Sequence, residues 1–432
     1  MKKFSLMLVL AVMMTSSAVF AGSIDYLVNQ SAKFLMTFSR NAATDQSADI
    51  ANYNPAATAT FAPGLYLDFS NQFLFKPYEQ EYTMGGVTRT VEQSEPTLLL
   101  PNFYAVYNFG QVGIGNMAAY LHVGIPAGGG SLKWDDGTVG LHALAAGKGV
   151  TTDTRSLEVS SVYYGINVGV SYASPDNTVA ASFGGRVLMP KRSIKADVTI
   201  PGAGAQGVEI EYDAVGWAPI IGFDVRPMKE LTIAVRYEFE TELGFENSVS
   251  TSGAMGPTFA GFLPPYMQED APEYNQNMPA MLAVGAEYKV DPQLTVLVSL
   301  NRYYLSQAYD ETGNFGDDNF RTGWEASIGA TYQVMSELKA GIGFIYTDIG
   351  TEDSYYENQG TLLTASGALP LNSCSIGLGA TYAVMPTLDV TLAGSWTHYL
   401  PKSFTIGSGP AAIKGEYKKE VYNIGLGVGY KM

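Results

Sequence analysis

Apolar and polar residues alternate with a period of two along most of this chain. The last segment shows it best: Tyr422, Ile424, Leu426, Val428, Tyr430 and Met432 share one face, while Asn423, Gly425, Gly427, Gly429 and Lys431 share the other. Period two marks an extended strand with unlike faces, and the spacing of three and four that a helix needs is missing. Comparable segments lie near 64–76, 97–109, 112–126, 156–173, 178–190, 208–226, 230–242, 278–290, 293–305, 320–334, 338–348, 371–384, 387–400 and 417–432. They predict an all-β chain of about 14 strands.

The connections sort by parity. Even strands are followed by tight turns, at Gly110-Gln111, Ser174-Pro175-Asp176-Asn177, Pro227-Met228-Lys229, Asp291-Pro292, Met335-Ser336-Glu337 and Met385-Pro386-Thr387. Odd strands are followed by long polar or Gly-rich loops, near 77–96, 127–155, 191–207, 243–277, 306–319, 349–370 and 401–416. A soluble sandwich has no reason to sort its loops this way, whereas a barrel with both termini on one side of a membrane does. The expected fold is therefore a transmembrane antiparallel β-barrel of about 14 strands, closed by its first and last strands because every backbone group in lipid needs a partner.

Residues 22–63 contain no alternating segment; they are rich in Ala, Ser, Asn and Asp, with a short helical patch from Ser23 to Phe38. A lumen of fourteen strands leaks unless something occupies it, so this stretch is expected to sit inside as a hatch. In front of it, Lys2 and Lys3, an apolar run from Phe4 to Met14 and Val19-Phe20-Ala21 form a secretory signal peptide. Its apolar run falls short of the roughly 20 residues that span a bilayer. The organisation reads as 1–21 signal peptide, 22–63 hatch and 64–432 barrel, placed in a bacterial outer membrane with external loops and periplasmic termini.

Composition agrees with many alternating strands: 28 Tyr, 20 Phe and 47 Gly accompany only 15% charged residues. A single Cys leaves no intramolecular disulfide. The formal charge of −16 becomes −18 once Lys2 and Lys3 leave with the signal, and so acidic a surface repels nucleic acid.

Several stretches carry a resemblance: Arg40-Asn41-Ala42-Ala43, Ala48-Asp49-Ile50-Ala51, Asn54-Pro55-Ala56-Ala57 just before the first strand, Gly124-Ile125-Pro126-Ala127-Gly128, and the cadence of GAEYKVDPQLTV and GATYQVMSELKAGIGF. In these the chain resembles the outer-membrane long-chain fatty acid and hydrophobic-compound transporters of the FadL and TodX type. The resemblance implies passive diffusion of a hydrophobic molecule from a loop-lined groove into a barrel pocket, then sideways through an opening where the third strand is distorted. Here that strand loses its alternation near Asn116 to Tyr120, making Asn116, Met117 and Tyr120 the wall-opening candidates; a barrel strand using Gly for curvature reads the same way. The chain departs from the usual terminal Phe of bacterial barrels, ending Tyr430-Lys431-Met432.

The resemblance makes Arg40, Asn54, Pro55 and Ala56 the hatch motif, Asn54 capping a helix or bonding the barrel wall and Pro55 fixing the backbone; an ordinary turn before a strand is the alternative. An amphiphile needs an apolar slot and a few polar groups for its head. Arg186, Arg236, Arg321 and Lys339 fall in the inward phase and can pair a carboxylate, or else form salt bridges with luminal acids such as Glu238, Glu240 and Glu325. Met255, Phe259, Phe262, Leu263, Tyr266 and Met267 give the loop at 243–277 the apolar density of a capture surface, or of a loop packed on itself over the barrel mouth; Leu141 to Ala146 offer a second wall.

His122, His142 and His398 are the only histidines, and no Ser-His-acid or metal-ligand spacing surrounds them. Cys374 falls in the outward phase. The chain thus reads as a non-enzyme without metal or cofactor: a monomeric barrel in outer-membrane lipid that passes a hydrophobic small molecule, a fatty acid or an aromatic hydrocarbon. The competing readings are a general diffusion channel, a structural or adhesion barrel and, remotely, a lipid hydrolase dependent on His122.

Overall fold

The computed structural model describes residues 31–432 except 94, 141, 144–153, 201, 203, 255–267, 269–272, 312–318, 354–368, 408, 410 and 411. Fourteen strands form its wall. They are β1 (Gly64–Phe75), β2 (Asn102–Val112), β3 (Gly115–Trp134), β4 (Thr154–Ala173), β5 (Val179–Ile200), β6 (Gly216–Met228) and β7 (Leu231–Glu238). The remainder are β8 (Met281–Lys289), β9 (Leu294–Tyr303), β10 (Gly323–Met335), β11 (Leu338–Asp348), β12 (Ser373–Met385), β13 (Leu388–Tyr399) and β14 (Ile413–Lys431). Each pairs antiparallel with its chain neighbours. The ring closes where β1 meets β14, in register from Tyr66 opposite Lys431 to Phe75 opposite Tyr422.

The two faces are reversed relative to a soluble protein. On β14, Ile424, Leu426 and Val428 are each 44% exposed, while Asn423, Gly425, Gly427 and Gly429 are buried. Phe69, Tyr107, Val168, Phe183, Leu300, Ile328, Leu378 and Leu392 continue this exposed apolar surface around the wall. Apolar residues outward and polar residues inward is the arrangement of a barrel whose solvent is lipid. No helix among the described residues is long and apolar enough to cross a membrane.

One end of the barrel carries the tight turns and the other the long connections. At the loop end, strands 78–84 and 87–93 form a hairpin that joins the upper part of β14, where 402–406 also pairs. The upper part of β5 pairs with 204–213, which in turn pairs with 244–252. Between them lies a hydrophobic core containing Tyr82, Trp134, Tyr212, Phe245 and Tyr417, all under 2% exposed.

Four expected strands differ most from those observed, among them the fifth, which runs on past 190 to Ile200. The stretch 208–226 is two strands, 204–213 in the loop-end sheet and β6 in the wall, because the long β5 leaves the barrel beyond Pro190 and takes its own partner. The second strand starts at Asn102 instead of 97, since Pro96 and Pro101 leave positions 97–101 short of ladder donors. The third runs on to Trp134.

Candidate functional site

The site is built between the barrel wall and an inner segment, residues 31–63, nearly all of it buried. The segment opens with helix α1 (Ala32–Thr37), whose N-cap Ser31 accepts a hydrogen bond from the Phe34 amide at 2.9 Å; it ends at Phe38 in the left-handed region. A second short helix, α2 (Ile50–Tyr53), leads into a 3₁₀ turn over Pro55–Thr60. Pro55 occupies the first position of that turn, where a missing N–H costs nothing. Asn54 makes no side-chain cap; its amide donates to the Ala43 carbonyl at 3.3 Å and to Asp224 of β6 at 3.0 Å. Ala56 and Ala57 are fully buried, where any larger side chain would meet the wall.

Bonds between segment and wall run around the circumference. Lys33 pairs with Asp68 of β1 at 3.0 Å and Asp389 of β13 at 3.2 Å. Asn41 donates to Asn301 of β9 at 2.8 Å, Thr44 to Glu287 of β8 through its amide at 3.0 Å, and Thr58 bonds Ser171 of β4 at 2.6 Å. Arg40 stays within the segment, held by Asp45 at 3.0 Å and Asp49 at 2.7 Å. Burial by itself would lower the Lys33 ammonium, but Asp68, Asp389, Asp49 and Asp45 outweigh it and hold the group above the ordinary lysine range.

Glycines of the wall let the backbone of α1 come this close. A Cβ placed on Gly343 would stand 2.1 Å from the Thr37 carbonyl oxygen; on Gly329, 2.4 Å from the same atom; and on Gly377, 2.0 Å from the Leu35 carbonyl oxygen. These three sit on β11, β10 and β12 and form a smooth seat.

Single register slips occur beside the turns, at Asn108/Gly110, Leu231/Ile233, Gln333/Met335 and Ala383/Met385, and one patch is disrupted more deeply. On β3 the register against β4 slips twice, between Gly124 and Ala127 and between Ala127 and Gly130. These are two bulges within six residues, with Gly128 and Gly130 at positive φ and Pro126 unable to donate. On the other side β2 pairs with β3 only as far as Val123, and the irregular residues 97–101 fill the place beside the bulges. Side chains replace the ladder there. Asn102 accepts from the Ile125 amide at 3.0 Å and donates to the Leu100 carbonyl at 3.1 Å, Asn71 donates to Leu98, and Thr97 donates to the Gly129 carbonyl at 3.1 Å. Around the expected Asn116, Met117 and Tyr120, β3 keeps an unbroken register with β4 from Asn116 to Gly124, and the one slip there is on the β2 side, between Asn108 and Gly110 opposite Ala118 and Met117; the deeper distortion lies further along the strand. Apparent loss of alternation there came from Ala118 and Ala119, which fit either face; the backbone yields instead where Pro126 and the following glycines remove donors and admit positive φ.

Two cavities border the bulged patch from inside. The first, with an empty volume of about 690 Å³ including its mouth, is bounded by Pro126 and Ala127 of the bulge, by Leu188, Ile220, Phe239 and Met281, and by Asn52 and Tyr53 of the inner segment. Arg186 and Arg236 stand in it and share one carboxylate. Arg186 donates to Glu238 at 2.6 and 3.3 Å and to Asn52 Oδ1 at 2.9 Å, and Arg236 pairs with the same Glu238 and donates to the Asn52 carbonyl at 2.6 Å. These three groups by themselves sum to +1 in a pocket of mixed apolar and amide lining, with Glu325 behind Asn301 and Tyr303 of that lining. The second cavity, with an empty volume of about 720 Å³ including its mouth, is lined by Phe34, Leu35 and Phe38 of α1 and by Leu74, Lys76, Ile345, Thr347, Glu325 and Gly129.

Of the four basic residues read as head-group candidates, the structure brings together Arg186 and Arg236. Arg321 is not among them: its side chain is 46% exposed, just ahead of β10, and paired with Asp348 at 2.6 Å. Lys339 lies at the turn end of β11, away from both cavities; the chain direction puts its inward phase beside the lower part of the inner segment, where its charge acts on Asp45. The capture-loop residues Phe259, Phe262, Leu263, Tyr266 and Met267 lie outside the described residues. Lys76 was missed, although it continues the inward phase of Ser70, Gln72 and Leu74; its position at the last residue of the expected strand made it read as the start of a loop.

His122 is buried, stacked on Tyr104 at 4.6 Å with Nε2 2.9 Å from Asn102 Oδ1. His398 bonds Glu420 at 2.6 Å on the outer side, and His142 bonds Tyr82 and the Asp136 carbonyl in the loop-end region. None of these settings pairs a histidine with a nucleophile.

A closed fourteen-stranded barrel with a lipid-facing belt, filled by its own N-terminal segment and carrying an apolar pocket beside a weakened wall, belongs to the class of plugged outer-membrane transport barrels. The chain belongs to the outer membrane protein transport protein family (OMPP1/FadL/TodX), which it matches over residues 12–431. Among solved structures it is similar to a Pseudomonas aeruginosa FadL homologue, at 14% identity and a TM-score of 0.69 over 94% of this chain and 99% of that one. It is also similar to the P. putida toluene transporter TodX (13%, TM-score 0.64, 94% and 99%) and to the Ralstonia pickettii toluene transporter TbuX (13%, TM-score 0.57, 94% and 99%). No curated protein sequence matches it. Membership places the chain in the bacterial outer membrane as a transport protein.

Proposed function

We propose that this protein carries long-chain amphiphiles with a carboxylate head passively across the outer membrane, from loop-side capture to the pocket under the bulged wall and then sideways into the lipid. The observation that carries this reading is the pairing of Arg186 and Arg236 with the single acid Glu238 inside an apolar cavity. An aromatic hydrocarbon needs only the apolar walls. A surplus guanidinium is costly to bury unless it has an anion to meet, and a carboxylate accepts from it through a charge-assisted, bidentate bond. Pro126 and Ala127 line the cavity, so a tail lying against them borders the patch where side chains replace the ladder. In this scheme the loops lie outside and the turns in the periplasm. A general diffusion channel is disfavoured by the density of bonds between the inner segment and the wall.

The test compares hexadecanoic acid, hexadecanol and toluene binding to the purified protein. Hexadecanoic acid is expected to bind best. Arg186→Gln removes the surplus charge and should weaken it about tenfold, the worth of one charge-assisted bond, while leaving hexadecanol within about twofold. Glu238→Gln frees a second cation and should strengthen the acid instead. Equal affinities for acid and alcohol in all three proteins would overturn the carboxylate reading and favour an apolar cargo such as toluene.

A further inference from the structure

Lys76 lies immediately beyond β1 and is 3% exposed. Its ammonium donates to the Gly129 carbonyl at 2.9 Å, the Ser131 carbonyl at 2.6 Å and Thr97 Oγ1 at 2.8 Å. Two of these acceptors belong to the bulged stretch of β3 and the third to the irregular segment beside it, so one side chain ties both edges of the weakened patch. None of the three is charged. Lys33, a buried lysine of α1 itself, has Asp68 and Asp389; the ammonium of Lys76 has only dipolar hydrogen-bond acceptors. The same side chain lines the second cavity, whose apolar walls come from α1, Leu74 and Ile345. Of the other charges near it, Glu95 and Lys419 act with opposite signs, and Glu325 across the cavity is saturated by Tyr303 at 2.6 Å, Thr347 at 3.1 Å and Asn301 at 3.2 Å.

We infer that Lys76 is a carboxylate-sensing latch: without cargo its ammonium clamps the bulged stretch of β3 to residues 97–101, and a fatty carboxylate entering the second cavity draws it off those carbonyls and frees the patch. The physical basis is differential affinity. A carboxylate is a stronger acceptor for an ammonium than the amide carbonyls it replaces, so acid binds the unlatched wall better than the latched one, and the population shifts accordingly. An alcohol of the same length has no such preference. Gly129 and Ser131 lose a donor on release, which loosens the backbone at the bulges and nowhere else. The latch rests on sideways exit as proposed above.

Amide hydrogen exchange of residues 124–131 in the unmodified, detergent-solubilised protein is the direct readout. Hexadecanoic acid is expected to accelerate it about tenfold and hexadecanol to leave it unchanged, the difference a single charge-assisted bond can drive. Lys76→Met should show the fast exchange with no ligand and lose the response to acid, whereas Lys76→Arg should keep it. Acid and alcohol acting alike on the unmodified protein, or an unaltered acid response in Lys76→Met, would overturn the latch. A disulfide between Thr97→Cys and Gly130→Cys separates this from the exit itself: uptake that persists through the closed disulfide sinks sideways exit, while blocked uptake together with an acid-indifferent patch sinks only the latch.

Discussion

Gly343→Val is expected to pass a steady ion current in planar bilayers about tenfold or more above that of the unmodified protein, which is itself expected to be near silent, because a lumen of this width conducts once it is not filled. The Cβ of any residue at 343 would stand 2.1 Å from the Thr37 carbonyl oxygen and 2.3 Å from its carbon, and these are backbone atoms of α1 that cannot swing away as a side chain does. The wall is fixed by its ladders to β10 and β12, so the inner segment must move. Overpacking of this kind costs about 1–3 kcal/mol. It acts at the seat where Gly329 and Gly377 also touch the segment, and tilting α1 there strains the Lys33 pairs to Asp68 and Asp389 at its first turn. The barrel itself should survive, as heat-modifiable mobility on a gel will report. Gly394→Val is the matched control: Gly394 lies in the outward phase with Leu392 and Trp396, its nearest neighbour a backbone oxygen 3.7 Å away. A silent Gly343→Val barrel with normal ligand binding would show that the segment yields without unplugging the lumen.

The disulfide staple carries the second large effect. With the native thiol removed by Cys374→Ala, cysteines at 97 and 130 are expected to close spontaneously under oxidation, because the Cβ built on Gly130 lies 3.1 Å from the Thr97 Cβ. That is somewhat below the common spacing of about 3.8 Å, so the two segments separate by several tenths of an ångström. Gly130 has a φ of 79°, which a cysteine tolerates at a cost. Comparing the same protein oxidised and reduced cancels that cost. The oxidised form should bind hexadecanoic acid in the pocket as before, yet bring its uptake into liposomes down to the level of empty liposomes; dithiothreitol should restore it. Retained uptake in the oxidised form would mean that cargo leaves through the lumen past the inner segment, and the bulged patch would then be a structural feature of β3.

Much of the architecture was legible beforehand because lipid imposes simple rules. A strand in a bilayer shows one apolar face, and its turns sort by side, so β14 and the alternation of short and long connections were readable residue by residue. The N-terminal stretch stood out for the opposite reason, having no strand pattern at all. Boundaries failed where proline and glycine intervene. Residues 97–101 and 124–131 carry the apolar character of strands, but Pro96, Pro101 and Pro126 cannot donate, and only the paired backbone shows which positions lose their ladder. Alternation alone pointed at Asn116 to Tyr120, whose register with β4 is unbroken.

Inward basic residues could be named from phase, but phase is one-dimensional. It cannot say that Arg186 on β5 and Arg236 on β7 meet one Glu238, that Arg321 rises out of the lumen to Asp348, or that Lys76 reaches across to carbonyls more than fifty residues away in the chain. The sequence by itself determined the barrel, its strand count, its lipid-facing surface and the presence of an internal segment, because each follows from short-range periodicity acting against a uniform solvent. The tertiary structure alone decided where surplus positive charge collects and where the wall is weak, because both depend on which side chains from distant strands converge in a low-dielectric lumen, where every unpaired group must find a partner.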